Sequence, residues 1–391
     1  MKILYVSARF PWPLLTGDAL RAYNQIKSLS KFHSIDVFSI EAPPVSRGDI
    51  DLYISESMSS QIPKLQKIIN IISYGKDTAF QCAMYNDMKS WQELRRLIIS
   101  NKYDVIIFQL VRLEYLIKKT VELKNQLGLD ISIYCDYVDA LSLNMENRTA
   151  TEGLLLKKIC SSESRKLKKI ENEIYDLVDV KIIISERDGK YINNKGFNVV
   201  PNGVTIPVRN ESLYHNESDG VVNLSFWGNM SYYPNVRAAQ YLADIFRQLE
   251  VGKYKLHIIG AKPSKKVRDL GNGDNIIVHG FIDDLPNFLA NMDLAVFPIF
   301  DGSGLQNKVL EAFALEIPVI TTNVVLDSIP KLKKFAMVAN CKADFIRNIE
   351  SFELSKEKSP SESGVLKVLN EHYNWENINQ VMIQNEKNTA F

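Results

Sequence analysis

Ser303, Asn307 and Glu311 are spaced in fours within the segment DGSGLQNKVLEAFALEIPVITT, Asp301 to Thr322. On a helix that spacing puts all three on one face, while Val309, Leu310, Phe313 and Ala314 form the side to be buried. The segment follows an apolar strand ending at Pro298 and begins with a Gly/Ser loop. Strand, glycine-rich loop and helix N-terminus make an anion site, because unpaired backbone N–H groups converge there and the helix dipole favours negative charge. Helical side chains lean toward the N-terminus, so Glu311 points back at that loop. A carboxylate does not favour phosphate. It accepts hydrogen bonds from a sugar or ribose diol just beyond one.

Other strand ends carry candidates. The first strand leads into RFPWPLLTGDALRAYNQIKSL, where Gly17 allows close backbone approach, Asp18 suits an N-cap, and Arg21, one turn in, could reach a phosphate. A G-x-G-x-x-G fingerprint is missing, which disfavours a dehydrogenase. In YCDYVDALSLNM, Asp136 and Asp139 lie where a strand gives way to a loop, and either could act as a base or hold a sugar hydroxyl. The turn FWGNMSYYPN offers Gly228 and Asn229 to a sugar or phosphate, and Pro234 and Asn235 open a helix. IIGAKPS and VHGFIDD offer Gly260, Gly280 and Phe281 as a nucleobase wall. His33, His215, His257, His279 and His372 show no partner spacing, and no His/Cys/Asp cluster suggests a metal. No cofactor is expected. LLLKKICSSESRKLKKIENE places Lys157, Lys158, Arg165, Lys166, Lys168 and Lys169 among Leu155, Leu156, Ile159 and Leu167. Such a helix suits either a solvated face or an anionic membrane surface.

The elements that position these residues are short β-branched runs separated by helical patterns, the signature of parallel α/β units. Strands are expected at Lys2–Ser7, Ile35–Ile40, Asp104–Gln109, Ile131–Asp136, Val180–Ser185 and Asn198–Val200. The pattern restarts at Val222–Trp227, Lys255–Ile259, Asn275–His279, Leu294–Phe297, Val319–Thr321 and Phe335–Val338. Two such sets predict an α/β chain of two Rossmann-like domains whose parallel sheets face a central cleft. The polar stretch Val199 to Gly220 marks the junction. Residues 1–203 are expected to form an acceptor-binding domain and 204–370 a donor-binding domain. Residues 371–391 are expected to form a terminal helix that buries Trp375 and packs back toward the first domain. Residues 41–102 read as mostly helical.

At 391 residues, two domains fit the length. A net charge of +1 argues against a nucleic-acid partner. Cys82, Cys135, Cys160 and Cys341 are scattered without metal or redox spacing and suit a reducing compartment, so a cytoplasmic location is expected. No apolar run reaches a membrane-spanning length, which leaves peripheral contact, including at the inner face of the cell membrane.

Together these segments resemble retaining glycosyltransferases of family four, which have the GT-B fold. The likeness rests on GNMSYYPN at Gly228–Asn235, GLQNKVLEA at Gly304–Ala312, the opening SARFPWPLLTGDALRAYN and the strand end VPNGV. It implies a metal-independent transferase moving a sugar from a nucleotide diphosphate-sugar to a saccharide or lipid-linked saccharide, in bacterial surface polysaccharide or glycolipid synthesis. By that likeness Glu311 binds the donor ribose, while Gly17, Lys308 and the backbone at Gly304–Leu305 meet the diphosphate. The chain departs from the family pattern at three places. Ser303 stands where many members carry a first acid, with Asp301 nearby. Asn229 follows Gly228 where an Arg is common, leaving Lys308 with Arg21 or Arg237 to supply positive charge. Asp136 and Asp139 stand where a His is common. The alternatives are a nucleotide-sugar epimerase on the same fold and a non-catalytic nucleotide-sugar-binding partner subunit.

Overall fold

The computed structural model describes residues 1–149, 153–207, 220–300, 304–352 and 364–384. Met1–Asn202 with Ile378–Phe391 form one compact unit, and Gly203–Asn377 form a second.

The first unit is built on seven strands: β1 (Lys2–Ser7), β2 (Ser34–Ser39), β3 (Glu56–Ser59), β4 (Val105–Gln109), β5 (Ser132–Asp136), β6 (Val180–Ile183) and β7 (Asn198–Val199). All run parallel in the order β3-β2-β1-β4-β5-β6-β7. Alternate side chains enter two separate cores. Ile3, Tyr5, Val37 and Ile107 face one, and Leu4, Val6, Phe38 and Phe108 face the other. Both faces are covered, so the strands read as continuous apolar runs.

The second unit contains β8 (Val222–Trp227), β9 (Tyr254–Ile259), β10 (Ile276–Val278), β11 (Leu294–Phe297), β12 (Val319–Thr321) and β13 (Ala336–Val338). These are parallel in the order β10-β9-β8-β11-β12-β13. Strand order reverses beside the first strand of each sheet, between β1 and β4 and between β8 and β11. Segments leaving the C-terminal ends of those neighbours diverge to opposite faces and open a crevice where open α/β sheets bind ligands.

Every strand expected from the sequence forms, with ends displaced by no more than two residues. The stretch 41–102 needs correction. It holds helices Lys64–Tyr74 and Met88–Ser100, but also β3, which pairs with β2 from Asp36↔Glu56 to Ser39↔Ser59. Glu-Ser-Met-Ser carries no β-branched or alternating apolar signal, because an edge strand exposed on its flank needs none. At the C-terminus, helix Trp375–Gln384 follows helix Val365–His372. Trp375 is buried, and its ring occupies the space where a side chain at Gly203 would lie. Met382 joins the first unit's core with Ile3, Ile26 and Val200.

Candidate functional site

In the second unit the switch point brings together the turn after β8 and the helix after β11. That helix spans Asn307–Ala314, and Val309, Leu310, Phe313 and Ala314 are buried as its pattern requires. It starts at Asn307, so the expected count in fours holds from Asn307 to Glu311 but does not extend to Ser303. Ser303 and Asp301 lie outside the described residues. Gly304 has φ 72, a left-handed conformation that glycine adopts without strain, and Leu305 behind it is buried. Asn307 is half-buried at the first helical position.

Glu311 reaches back to the end of β8, where Trp227 Nε1 donates to its Oε2 at 2.8 Å. The indole is held edge-on against Phe297 of β11, with ring centroids 4.9 Å apart. Burial raises the Glu311 pKa, and the Trp227 hydrogen bond and the Lys308 charge oppose that rise. Trp227 was not among the residues singled out from the sequence. Its only signal there is an indole placed immediately before a glycine at a strand C-terminus.

Lys308, one residue into the same helix, donates from Nζ to Asn235 Oδ1 at 2.6 Å. It lies 5.0 Å from the Phe226 ring centroid. Asn235 Nδ2 in turn donates to the Asn229 carbonyl at 3.0 Å, so one amide ties the lysine to the turn after β8. A Cβ at Gly228, whose φ is 148, would sit 2.8 Å from Asn235 Nδ2 and 3.2 Å from Lys308 Nζ. The ammonium therefore lies directly against a bare backbone. Burial lowers the Lys308 pKa to about 8, against the raising effect of Glu311. A cation so placed gains by meeting a second anion.

Gly260 follows β9 with φ 156, and a Cβ there would lie 1.8 Å from the Gly228 carbonyl oxygen. Its role is to let two turns pass each other. Phe281 is exposed after β10. The exposed Asn229 side chain accepts from Ser231 N and Oγ at 3.0 and 2.7 Å, stabilising the turn. The sequence showed no histidine partnership, but the sheet makes one. His257 Nδ1 lies 3.0 Å from His279 Nε2, the rings are stacked, and burial lowers the His257 pKa to about 4. His215 lies outside the described residues. Among the described residues, no three His, Cys, Asp or Glu side chains are grouped to hold a metal ion.

In the first unit, two expectations are overturned. Arg21 does not face a phosphate, and Asp136 is not a free base. Both are fully buried, with Arg21 Nε to Asp136 Oδ2 at 2.7 Å and Nη2 to Oδ1 at 3.1 Å. Arg21 Nη1 also donates to Asn202 Oδ1 at 2.9 Å, and Gln25 Nε2 donates to Asp136 Oδ2 at 2.7 Å. Asp136 ends β5 and the Arg21 helix follows β1, so burial in the first unit's interior forces the charges to pair. Asp18 does not cap that helix. Thr16 holds the cap position, and Asp18 sits in the first turn with Arg9 Nη1 at 3.2 Å. Gly17 is exposed, with open space where a side chain would project. Asp139, half-buried three residues beyond Asp136, accepts from Asn144 Nδ2 at 2.8 Å.

The paired parallel sheets define the class of fold, two Rossmann-like α/β domains of the GT-B kind. Residues 222–352, within the second unit, match the family model described as glycosyl transferases group 1. No curated protein matches the sequence. Solved structures similar in fold include the N-terminal domain of Candida albicans trehalose-6-phosphate phosphatase, at TM-score 0.70 and 12% identity, covering 100% of this chain and 97% of that one. Anabaena HepE in complex with UDP and glucose matches at TM-score 0.65 and 12% identity, covering 99% and 100%. A trehalose 6-phosphate synthase from Burkholderia multivorans matches at TM-score 0.64 and 12% identity, covering 100% and 97%.

Proposed function

We propose that this chain is a retaining glycosyltransferase that moves a sugar from a nucleotide diphosphate-sugar to an acceptor hydroxyl. The observation that carries this reading is the grouping of Glu311, Lys308 and the bare Gly228 backbone at the switch point, inside the stretch that matches group 1 glycosyl transferases. The UDP and glucose held by Anabaena HepE, a protein of the same fold, support a donor of this class.

In this reading Glu311 accepts hydrogen bonds from the donor ribose, and Phe281 lies beside the base. Lys308 and the N–H groups at Gly304–Leu305 face the diphosphate. As the bond from the anomeric carbon to the diphosphate breaks, the acceptor oxygen bonds that carbon. Lys308 and the backbone amides stabilise the charge gathering on the leaving group. A protein cation in that position takes the part a metal would otherwise play. Asp139 is the candidate group of the first unit for the acceptor proton or a sugar hydroxyl. Surface polysaccharide or glycolipid synthesis in a bacterium, on a saccharide or lipid-linked saccharide at the inner face of the membrane, is the setting that suits the reading. Among the described residues no helix is long and apolar enough to cross a membrane.

The test is transfer from radiolabelled donor by Glu311→Ala, after a thermal-shift screen of nucleotide sugars has identified the donor. Loss of transfer is expected; turnover near that of the unaltered chain would sink the proposal.

A further inference from the structure

The first sheet has its own switch point, between β1 and β4, and the charges gathered there are not all paired. Ser7 and Gln109 end those two strands. Gln109 Nε2 donates to the Asp18 carbonyl at 2.8 Å, which ties the start of helix Gly17–Leu29 to the segment leaving β4. Leu110 follows with φ 72, and a short helical turn, Val111–Leu113, then carries Arg112. Open α/β sheets place ligand-binding residues at such strand ends. Arg112 is half-buried. Its Nε donates to Gln81 Oε1 at 3.0 Å, and among the described residues neither Nη nitrogen meets an acceptor. Acids nearby in the chain or around Gln81 are engaged by other groups. Glu114 meets Lys118 Nζ at 2.6 Å and Thr78 Oγ1 at 2.8 Å, and Glu163 accepts from Phe80 N and Gln81 N at 3.0 and 3.1 Å. A guanidinium partly withdrawn from water without a carboxylate gains by meeting an oxyanion.

Arg9, two residues beyond β1, is more open, with its side chain 43% exposed. Its Nη1 lies 3.2 Å from Asp18 Oδ2 and its Nε 4.0 Å from Glu41 Oε2, while Lys67 Nζ lies 3.6 Å from Glu41 Oε1. Arg9 and Lys67 thus balance Asp18 and Glu41, and Arg112 is the surplus positive charge. Open ion pairs of this kind contribute little, so Arg9 can turn toward a ligand at small cost.

Tyr85 brings these groups to one point. It is buried in the core with Ala8, Ile40 and Val111, which follow the ends of β1, β2 and β4. Its hydroxyl has no hydrogen-bond partner among the described residues. Burial raises its pKa, and the charges of Arg112, Glu41, Arg9 and Asp18 also act on it, the arginines lowering it and the acids raising it. One unpartnered hydroxyl therefore lies in the field of all four charges. Arginines and a tyrosine hydroxyl donate to an oxyanion, and carboxylates beside them accept from hydroxyls. That mixture suits a sugar carrying its own negative group.

We propose that Arg112, with Arg9 and Tyr85, forms an acceptor subsite for a saccharide bearing an oxyanion, either a phosphate ester or a carboxylate. The proposal rests on the transferase reading above and adds the chemical class of the acceptor. In that reading the donor diphosphate meets Lys308 of the second unit, which leaves the Arg112 guanidinium of the first unit for the acceptor. Asp18 and Glu41 take the sugar hydroxyls beside the charged group.

The full chain is titrated in a calorimeter, without donor, with glucose, glucose 6-phosphate and glucuronate. At least one charged sugar should bind about tenfold or more tightly than glucose, and the preferred one separates phosphate from carboxylate. Arg112→Met should weaken that binding by about tenfold or more, Arg112→Lys by less, and Tyr85→Phe by about twofold to tenfold. Melting temperature reports whether each variant folds, and the donor-induced thermal shift should be the same in all three as in the unaltered chain. Glucose binding as tightly as the charged sugars, or no binding of either charged sugar, overturns the proposal. So does charged-sugar binding that a folded Arg112→Met retains in full. A donor-induced shift lost in Arg112→Met overturns it too, by assigning the guanidinium to the donor diphosphate. The expected binding pattern in a chain that transfers nothing would support the subsite and count against the transferase reading alone.

Discussion

Trp227 Nε1 and Glu311 Oε2 lie 2.8 Å apart, joining the last residue of β8 to the helix that follows β11. The indole neutralises part of the cost of burying a carboxylate and fixes which way it points. A hydrogen bond to a charged group contributes about 1.5–3 kcal/mol. Trp227→Phe keeps an aromatic ring against Phe297 but removes the donor. Donor affinity, measured by calorimetry, should fall by about tenfold to a hundredfold, with the melting temperature less affected. Unchanged affinity would show that Glu311 does not depend on Trp227.

Lys308 makes donor binding sensitive to alkaline pH. Its pKa in the folded protein is lowered to about 8 by burial, so the ammonium loses its proton as pH rises through that value. Binding of a diphosphate requires the charged form. Affinity should therefore be level below about 8 and fall roughly tenfold per pH unit above it. Lys308→Arg, whose charge persists, should abolish the dependence even if it binds more weakly at neutral pH. A flat profile in the unaltered chain would remove Lys308 from the diphosphate site.

The Arg21–Asp136 pair should prove structural. Both side chains are fully buried, so removing either partner leaves an uncompensated charge at a cost of about 3–5 kcal/mol. Arg21→Ala and Asp136→Ala should each lower stability to denaturant by that order. Donor affinity, measured where the variants remain folded, should be retained. A loss of affinity without a loss of stability would return Arg21 to the binding site.

Glu171 supplies an acid-side dependence of stability in the first unit. It is buried, accepts from Ser142 N at 3.1 Å and from Ser142 Oγ, and burial raises its pKa to about 7. In the unfolded chain the group titrates near an ordinary glutamate value. Between that value and about 7, the folded state holds the proton more tightly. Its contribution is thus fully present below the unfolded pKa and is lost as pH rises through about 7. Glu171→Gln keeps an acceptor for Ser142 and cannot ionise. Melting curves across this window should show a smaller decline with pH for the variant; parallel curves would contradict the assignment.

The sequence by itself determined the sheets and the presentation of Glu311. Continuous apolar runs such as Leu294–Phe297, too short for a helix and recurring between helical patterns, suit strands covered on both faces, and the spacing of Val309, Leu310, Phe313 and Ala314 leaves Glu311 off the buried side. Both follow from local periodicity. The edge strand β3 was hidden because its pairing is made by backbone groups that leave no mark on side-chain type. The tertiary structure alone decided which polar groups meet. Trp227 and Glu311 stand 84 residues apart, and Arg21 and Asp136 stand 115 apart. Asp136 at the end of β5 and Arg21 one turn into the helix after β1 both stood where a ligand group was expected. Whether such a charge meets a ligand or another side chain depends on strand order and burial. In the first sheet that order drives Arg21 and Asp136 together in the interior. In the second it leaves Lys308 against the bare backbone of Gly228.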